Sequence, residues 1–150
     1  MILSGRDIKD YLSRGLIKIE PLAPSQIQQN GVDLLLVQVV HPPQVYPERF
    51  MYKGEFYLGC TQEVLTLPND IIGLVELRST LARKGILIAP TIVDAGFSGN
   101  LTVEIFTAGF QDYSPIGQRF LHLIFAKMLS EGDPYRGKYQ NQRGITCPID

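Results

Sequence analysis

The chain has 150 residues, of which 45% are hydrophobic and 19% charged, a composition typical of one globular domain with a real core rather than of a disordered chain. The formal net charge is −1, so no overall basic field favours nucleic acid or an anionic membrane. No apolar run approaches the ~20 residues of a membrane span, and the first residues lack a signal-peptide pattern. Cys60 and Cys147 offer neither a disulfide framework nor a metal-ligand spacing, so a cytoplasmic protein is the simplest interpretation.

The first predicted element is a helix over residues 4–16. Ser4 can cap this helix, and Asp7 occupies the third helical position, where a carboxylate completes a capping box. Gly15 is the predicted stop signal. A short turn is expected to follow at "SQIQ", which repeats the capping pattern.

After residue 31 the sequence becomes a series of short apolar or alternating runs separated by Gly, Pro, Asn and Asp. Six runs are predicted as strands, at residues 32–40, 55–67, 70–77, 85–93, 100–110 and 119–129. The last run is also compatible with a helix, and a buried strand is the favoured interpretation. The pattern predicts a single, mainly antiparallel β domain, a barrel or jelly-roll-like sandwich with a helix at its start.

The C-terminal part of the chain, from about residue 130, is predicted to be flexible. It is polar and contains three glycines and two prolines. Tyr135, Lys138 and Gln142 in this segment could close over an anionic ligand, since neighbouring glycines allow movement. A disordered polar tail is the more common alternative.

The stretch "LRSTLARKG" places two arginines, Arg78 and Arg83, around the hydroxyl side chains of Ser79 and Thr80. Guanidinium forks and hydroxyl donors suit phosphate oxygens, and a strand-to-helix turn would add backbone N–H groups. A helix N-terminus capped by Ser79 or Thr80, with arginines at the surface, is an equally good interpretation of the spacing.

The stretch "VDAGFSGNLTVEIF" combines two carboxylates with a turn and a strand. Asp94 ends an apolar run, and the alternation in the following strand puts Glu104 on the face opposite Val103. Glu104 therefore faces either solvent or a pocket, and a pocket would raise its pKa and suit it to general acid–base work. Solvent is the more common environment for such a glutamate, and an aspartate in a turn is more often a turn former than a catalytic group.

Several segments together resemble the dCTP deaminase and dUTPase superfamily along nearly the whole chain. They are "MILSGRDI", "NGVDLLL", "TQEVLTLPNDIIGLVELRSTLAR", "VDAGFSGNLTVEI", "GQRFLHLIF" and "PYRGKYQNQRG". The resemblance implies a homotrimer with a dUTPase-like distorted β-barrel or jelly-roll fold. Glu104 stands where the deaminase branch has a glutamate, which implies deamination of dCTP to dUTP and ammonia in pyrimidine deoxynucleotide metabolism.

The resemblance also implies a catalytic group. Glu104 would be the general acid–base, and Ser79 and Arg83 would orient the attacking water and stabilise the developing charge. Zinc deaminases instead need an H-x-E and a P-C-x-x-C signature. Neither His41 nor His122 belongs to such a pattern, so a zinc-independent reaction is expected.

The implied substrate-binding residues are Arg78, Ser79, Thr80, Arg83, Asp94, Phe97, Thr102, Val103, Tyr135, Lys138 and Gln142. Asp94 would accept the 3′-hydroxyl, Phe97 would pack on the deoxyribose, and backbone groups of Thr102 and Val103 would meet the base edge. The arginine-serine turn and the tail would hold the triphosphate, which carries the Mg²⁺, so no metal site on the protein is expected. The resemblance further implies dTTP as a candidate inhibitor.

Two alternatives remain open. Asp94 also matches the aspartate that activates water in dUTPases, and the interval "KGILIAPTIV" has the length found in some archaeal dUTPases, so a dUTP diphosphatase or a bifunctional enzyme is the second interpretation. The tail, however, lacks the arginine- and glycine-rich motif of classical dUTPases. A non-catalytic nucleotide-binding protein is the third, and the joint presence of Ser79, Arg83 and Glu104 argues against it.

Overall fold

The computed structural model describes residues 1–109 and 112–150, and these residues form a mainly β domain. The helices are α1 (Gly5–Ser13) and α2 (Ser79–Ala82). The strands are β1 (Lys18–Glu20), β2 (Val32–Val40), β3 (Phe56–Thr66), β4 (Ile71–Leu77), β5 (Ile86–Ile88), β6 (Thr91–Val93), β7 (Ser98–Thr107) and β8 (Arg119–Lys127). They form one antiparallel sheet in the order β5-β7-β3-β2-β8-β4-β6, and β1 pairs with β3.

Strand β2 joins the two halves of the sheet. Its first part pairs with β8 and its second part with β3, and the register shifts between Leu34 and Leu35 and again between Leu36 and Gln38. Such bulges bend a strand and increase its twist. The sheet therefore curls into a half-barrel, which confirms the predicted mainly β, distorted-barrel fold with a helix at its start.

The core fills the inside of this curled sheet. Leu34, Tyr57, Ile105, Phe120 and Phe125 are among the largest side chains that are fully buried there. Each such side chain stabilises the fold by roughly 1.5–3 kcal/mol relative to leaving it exposed. The strands that carry functional side chains are thus anchored on a rigid base.

Helix α1 begins as the sequence predicts and ends earlier. The Ser4 hydroxyl accepts from the Asp7 backbone N–H at 3.2 Å, and Asp7 accepts from the Ser4 N–H at 2.8 Å, so the capping box is present. The helix ends at Ser13 rather than residue 16, because Gly15 adopts a φ of +68° and reverses the chain.

The turn expected at residues 25–28 is a short 3₁₀ helix over Pro24–Gln26. The predicted capping pattern is wrong, because Pro24 fits the first helical position and moves the start of the turn back by one residue. Gln26 accepts a hydrogen bond from the Ala23 N–H at 2.8 Å, whereas Gln28 donates to the Ser25 carbonyl.

The other strand predictions are confirmed, with one correction. Residues 85–93 form two strands instead of one, because Pro90 lacks an N–H and cannot continue a ladder. β5 pairs with β7 and β6 pairs with β4, so the chain crosses between the sheet halves at this point. β8 confirms the favoured strand, whereas the predicted end of the run 100–110 at Phe110 lies outside the described residues.

Among the described residues, no helix is long and apolar enough to span a bilayer.

Candidate active site

Glu104 lies on strand β7, which is a rigid part of the sheet. Val103 and Ile105 are fully buried, while Glu104 and Thr102 are half-buried on the opposite face, as the alternation predicts. β7 pairs with β3, where Leu58 lies opposite Glu104, and the Ala89 N–H donates to the Glu104 carbonyl at 3.2 Å. The backbone at Glu104 is therefore held from both sides of the strand.

The exposed face of β7 borders a cavity of about 360 Å³. Six of the predicted site residues line it, namely Asp94, Phe97, Thr102, Glu104, Tyr135 and Gln142. Glu104 thus faces a pocket and not open solvent. The volume lies in the range of small-molecule sites.

Asp94 is placed by a tight turn between β6 and β7. The Phe97 N–H donates to the Asp94 carbonyl at 3.1 Å, and Gly96 in this turn has a φ of +82°. A Cβ on Gly96 would come within 2.8 Å of the Pro134 side chain, so only glycine allows the tail to pack here. Phe97 is buried, with its ring edge-on to Tyr135 at a centroid distance of 5.8 Å.

The C-terminal segment lies along the outer edge of β7. The Asn141 N–H donates to the Ser98 carbonyl at 2.7 Å, and the Asn100 N–H donates to the Gln142 carbonyl at 3.0 Å. Further along, the Thr146 N–H donates to the Thr102 hydroxyl at 3.1 Å. The segment therefore forms one wall of the cavity, while its predicted flexibility stays a prediction.

Lys138 and Val103 do not line the cavity. Lys138 is exposed, and its ammonium donates to the carbonyl of Ile149 near the end of the chain. The Val103 side chain is buried in the core and lies opposite Gly59 in the β3–β7 register. Its predicted contact to a base through the backbone stays a prediction.

Helix α2 is a single turn, and Arg78 stands at its N-cap position. The alternative prediction, a cap from Ser79 or Thr80, is wrong, because Arg78 is the residue with extended backbone before the helix and Ser79 and Thr80 already lie within the helical turn. Leu81 is buried beneath the turn, whereas Ala82 is exposed.

The arginine-serine turn does not reach the cavity of its own chain. Arg78, Ser79, Thr80 and Arg83 are all absent from the cavity wall. Ser79, Thr80 and Arg83 are exposed, and Arg78 is half-buried. One chain therefore presents two separate parts of the predicted site.

Sequence reasoning missed a buried carboxylate beside this turn. Asp33 on β2 has a side chain only 4% exposed, and its Oδ2 lies 3.3 Å from Arg78 Nε and 3.8 Å from Arg119 Nη1. Its Oδ1 lies 2.9 Å from His122 Nδ1. The only signal in the sequence is a charged residue within the apolar run "GVDLLLV".

Apolar lining of the cavity was also missed. Pro42, Phe56, Leu58, Ile92 and Tyr139 contribute to its wall. Phe56 and Ile92 are 44% and 56% exposed. In the sequence such residues are indistinguishable from core residues of short strands.

The side chains of His41, His122 and Cys60 lie outside the site. His41 lies in a loop and contacts Glu55 at 2.9 Å, and His122 contacts Asp33. Burial raises the pKa of the Cys60 thiol to about 11, so Cys60 is protonated near neutral pH and unsuited to act as a nucleophile. No group of three His, Cys, Asp or Glu among residues 1–109 and 112–150 is arranged to hold a metal ion.

Comparison with known proteins decides the family. The family described as dCTP deaminase-like matches residues 44–128. The chain belongs to this family. The match includes every strand of the cavity wall from β3 to β7.

Relatives of similar length carry two different names. A protein of Sulfolobus islandicus rod-shaped virus 1, named probable deoxyuridine 5′-triphosphate nucleotidohydrolase, is 46% identical over 97% of both chains. Proteins named dCTP deaminase are 42% identical in Sulfurisphaera tokodaii, over 99% of this chain and 92% of the relative, and in Acidianus ambivalens, over 99% and 97%.

Solved structures share the fold. The 2′-deoxycytidine 5′-triphosphate deaminase of Agrobacterium tumefaciens superposes with a TM-score of 0.71 at 19% identity, over 85% of this chain and 48% of that one. The dUTPase of EIAV superposes with a TM-score of 0.57 at 21% identity, over 83% and 98%. These likenesses confirm the dUTPase-like fold.

Proposed function

We propose that this protein deaminates dCTP to dUTP and ammonia, with Glu104 as the general acid–base. The observation that carries the proposal is the position of Glu104. It is held on a rigid strand and faces a cavity that also contains Asp94 and Phe97. Relatives more than 40% identical over nearly the whole chain are named dCTP deaminase, which supports the choice of reaction.

The chemistry needs one group that takes and returns protons. In the proposed reaction Glu104 removes a proton from the water that attacks C4 of cytosine. The resulting tetrahedral carbon loses the amine after protons reach N3 and the departing nitrogen, so water is consumed and ammonia leaves. A positioned carboxylate that shuttles protons contributes typically ~10²–10⁴-fold to such a rate.

The nucleoside would occupy the cavity of one chain. Asp94 would accept the 3′-hydroxyl, Phe97 would pack on the deoxyribose, and backbone groups of Thr102 and Val103 would meet the base edge. Phe97 is suited to this role because the turn and Tyr135 fix its ring. The apolar wall around Leu58 would shield the base from bulk water.

The triphosphate end would be completed by a second copy in a homotrimer. Arg78, Ser79, Thr80 and Arg83 are exposed or half-buried but lie outside their own chain's cavity. In a neighbouring copy Ser79 and Arg83 would reach the reacting water, and Arg78 and Thr80 the phosphates.

An apolar surface beside the cavity is suited to such a contact. Phe106 lies opposite both Phe56 and Leu87 in the strand registers, and all three side chains are more than 40% exposed. Contiguous exposed apolar surface of this kind marks interaction sites.

The tail would contribute Tyr135, Lys138 and Gln142 to the triphosphate. Mg²⁺ would arrive with the nucleotide as part of the substrate, and no zinc is required. The proposed setting is dTTP precursor supply in the cytoplasm, with dTTP as a candidate inhibitor.

A second candidate is dUTP diphosphatase activity, alone or combined with deamination. The viral relative at 46% identity bears a dUTPase name, and Asp94 stands exposed at the cavity, where it could activate water for attack on the α-phosphate. In a dUTPase the catalytic role would pass from Glu104 to Asp94.

Product analysis tests the proposal. The protein is incubated with Mg²⁺ and either dCTP or dUTP, nucleotides are separated chromatographically, and ammonia and pyrophosphate are assayed in parallel. Ammonia and dUTP from dCTP, with dUTP untouched, would support deamination. Pyrophosphate and dUMP from dUTP alone would replace deamination with dUTPase activity, and both activities would make the enzyme bifunctional. If dCTP and dUTP both bind but stay unchanged over hours, both enzymatic functions are refuted.

A further inference from the structure

We infer that Asp33 is a positioning residue, whose buried carboxylate fixes the guanidinium of Arg78 for binding the substrate triphosphate. The inference rests on the proposed function, because it takes Arg78 as a phosphate ligand. Asp33 lies on β2, two strands away from β4 in the sheet, and contacts Arg78 where the chain leaves β4.

The first observation is the burial of Asp33. Its side chain is 4% exposed, whereas its partners are between 23% and 37% exposed. A buried carboxylate is costly unless it is paired and hydrogen-bonded. Asp33 therefore serves as an inner anchor, and the basic side chains around it extend from that anchor toward the surface.

The second observation is which Arg78 atoms are held. Nε lies 3.3 Å from Asp33 Oδ2, and Nη1 donates to the Arg119 carbonyl at 3.5 Å. Neither contact uses Nη2. A guanidinium is a rigid planar fork, so contacts to Nε and Nη1 fix its plane and orient its remaining donors for an oxyanion.

The third observation is that the surroundings of Asp33 are built to hold it. His122 contacts Oδ1 at 2.9 Å, and the ring fits only because residue 31 is glycine. A Cβ on Gly31 would lie 2.6 Å from His122 Nε2. The Arg78 N–H is also bound to the Phe120 carbonyl, so both the backbone and the side chain of Arg78 are tied to β8.

The charge of Asp33 separates an orienting role from a simple effect of net charge, because the two predict opposite changes in anion binding. Two guanidinium groups, those of Arg78 and Arg119, surround one carboxylate, so the cluster keeps an excess of positive charge that favours an anion. Removing the negative charge of Asp33 would strengthen anion binding if net charge alone mattered. If Asp33 acts by orienting Arg78, the same change weakens anion binding.

The test is a double-mutant cycle with wild-type protein, Asp33→Asn, Arg78→Gln and the double variant. The probe is α,β-imido-dUTP with Mg²⁺, which can be neither deaminated nor cleaved at the α,β-bond, and deoxyuridine is the probe without phosphates. We expect Asp33→Asn to weaken binding of the imido nucleotide about tenfold, equivalent to ~1.4 kcal/mol. Deoxyuridine binding should be unchanged. In the Arg78→Gln background, Asp33→Asn should weaken binding of the imido nucleotide by less than about twofold.

Glu76→Gln is the matched control. Glu76 is an exposed carboxylate on β4, opposite His122 in the β4–β8 register, so the variant makes the same change of charge nearby without touching the anchor. It should leave binding unchanged or slightly tighter. The positioning role would be overturned if Asp33→Asn bound the imido nucleotide as tightly as wild type or more tightly. It would also be overturned if the loss of affinity in the double variant equalled the product of the losses in the two single variants.

Arg78→Lys provides a second test of the inference if the Asp33→Asn protein does not fold. The side chain is partly exposed, so this variant should fold, and lysine keeps the charge without the fork. We expect it to lose about tenfold in imido-dUTP binding, since an ammonium is not oriented in the same way, and full retention would overturn the inference. A protein that binds the imido nucleotide in this pattern but releases no ammonia from dCTP would refute only the proposed function. Wild-type protein that does not bind the probe at all would overturn the positioning role, whereas ammonia release from dCTP decides the proposed function separately.

Discussion

Replacing Glu104 by glutamine separates catalysis from binding. The amide keeps the size of the side chain but cannot take a proton from water, so turnover of dCTP should fall by ~10²–10⁴-fold. That range corresponds to ~2.7–5.4 kcal/mol of lost transition-state stabilisation. The fold should be unaffected to within about 0.5 kcal/mol, because Glu104 is half-buried and its backbone is held by Leu58 on β3 and by Ala89 just after β5.

The assay combines ammonia release from dCTP with binding of α,β-imido-dUTP. We expect binding to stay within about threefold of wild type, since the proposed phosphate ligands lie elsewhere and a neutral amide can still contact a base. Glu20→Gln is the control, because Glu20 is exposed at the end of β1 and does not line the cavity. A Glu104→Gln protein with near-normal turnover would remove Glu104 from the mechanism.

Three further changes test other parts of the structure. Burial raises the pKa of Glu63, which accepts from Gln26 and the Leu35 N–H, so its contribution to stability is present at low pH and is lost as pH rises through its folded-state pKa. In chemical denaturation, Glu63→Gln should therefore be more stable than wild type at pH 7.5, with a gain that shrinks toward pH 4.5; a loss at pH 7.5 would contradict this. Removing residues 130–150 should weaken binding of imido-dUTP about tenfold more than binding of deoxyuridine, because this segment carries the proposed phosphate ligands. Equal losses of affinity for the two probes in a binding titration would mean that the segment does not bind the phosphates. Chelation should suppress deamination by at least about tenfold, and added Mg²⁺ alone should restore it, since the ion neutralises triphosphate charge; restoration only by Zn²⁺ would contradict the zinc-independent reaction.

Local patterns in the sequence were enough to predict most of the fold. The alternation along β7 identifies its buried face, and the capping residues Ser4 and Asp7 locate the start of α1. The failures have local causes that hydrophobic periodicity does not report. Pro90 splits one predicted strand into two, and Pro24 moves the start of a turn.

The site was predictable in part. Asp94 and Glu104 stood out because two carboxylates, a turn and a strand share one stretch. Their roles, and the choice of Phe97, came from the family resemblance, and the structure brings all three residues to one cavity. Asp33 could not be found in this way, because its partners Arg78, just after β4, and His122, on β8, are far away in the sequence. The apolar wall was missed for the same reason, since Phe56 gains its role only from the strands beside it.

The most direct test of the proposed reaction is a turnover of dCTP in water labelled with a heavy oxygen isotope, followed by mass spectrometry of the nucleotides. We predict one labelled oxygen on the uracil ring of the dUTP product and none on its phosphates, because water attacks C4. Recovery of dCTP unlabelled and intact, while a parallel incubation with dUTP puts the label in the phosphate of dUMP or in pyrophosphate, would contradict deamination and transfer the chemistry to the α-phosphate and Asp94.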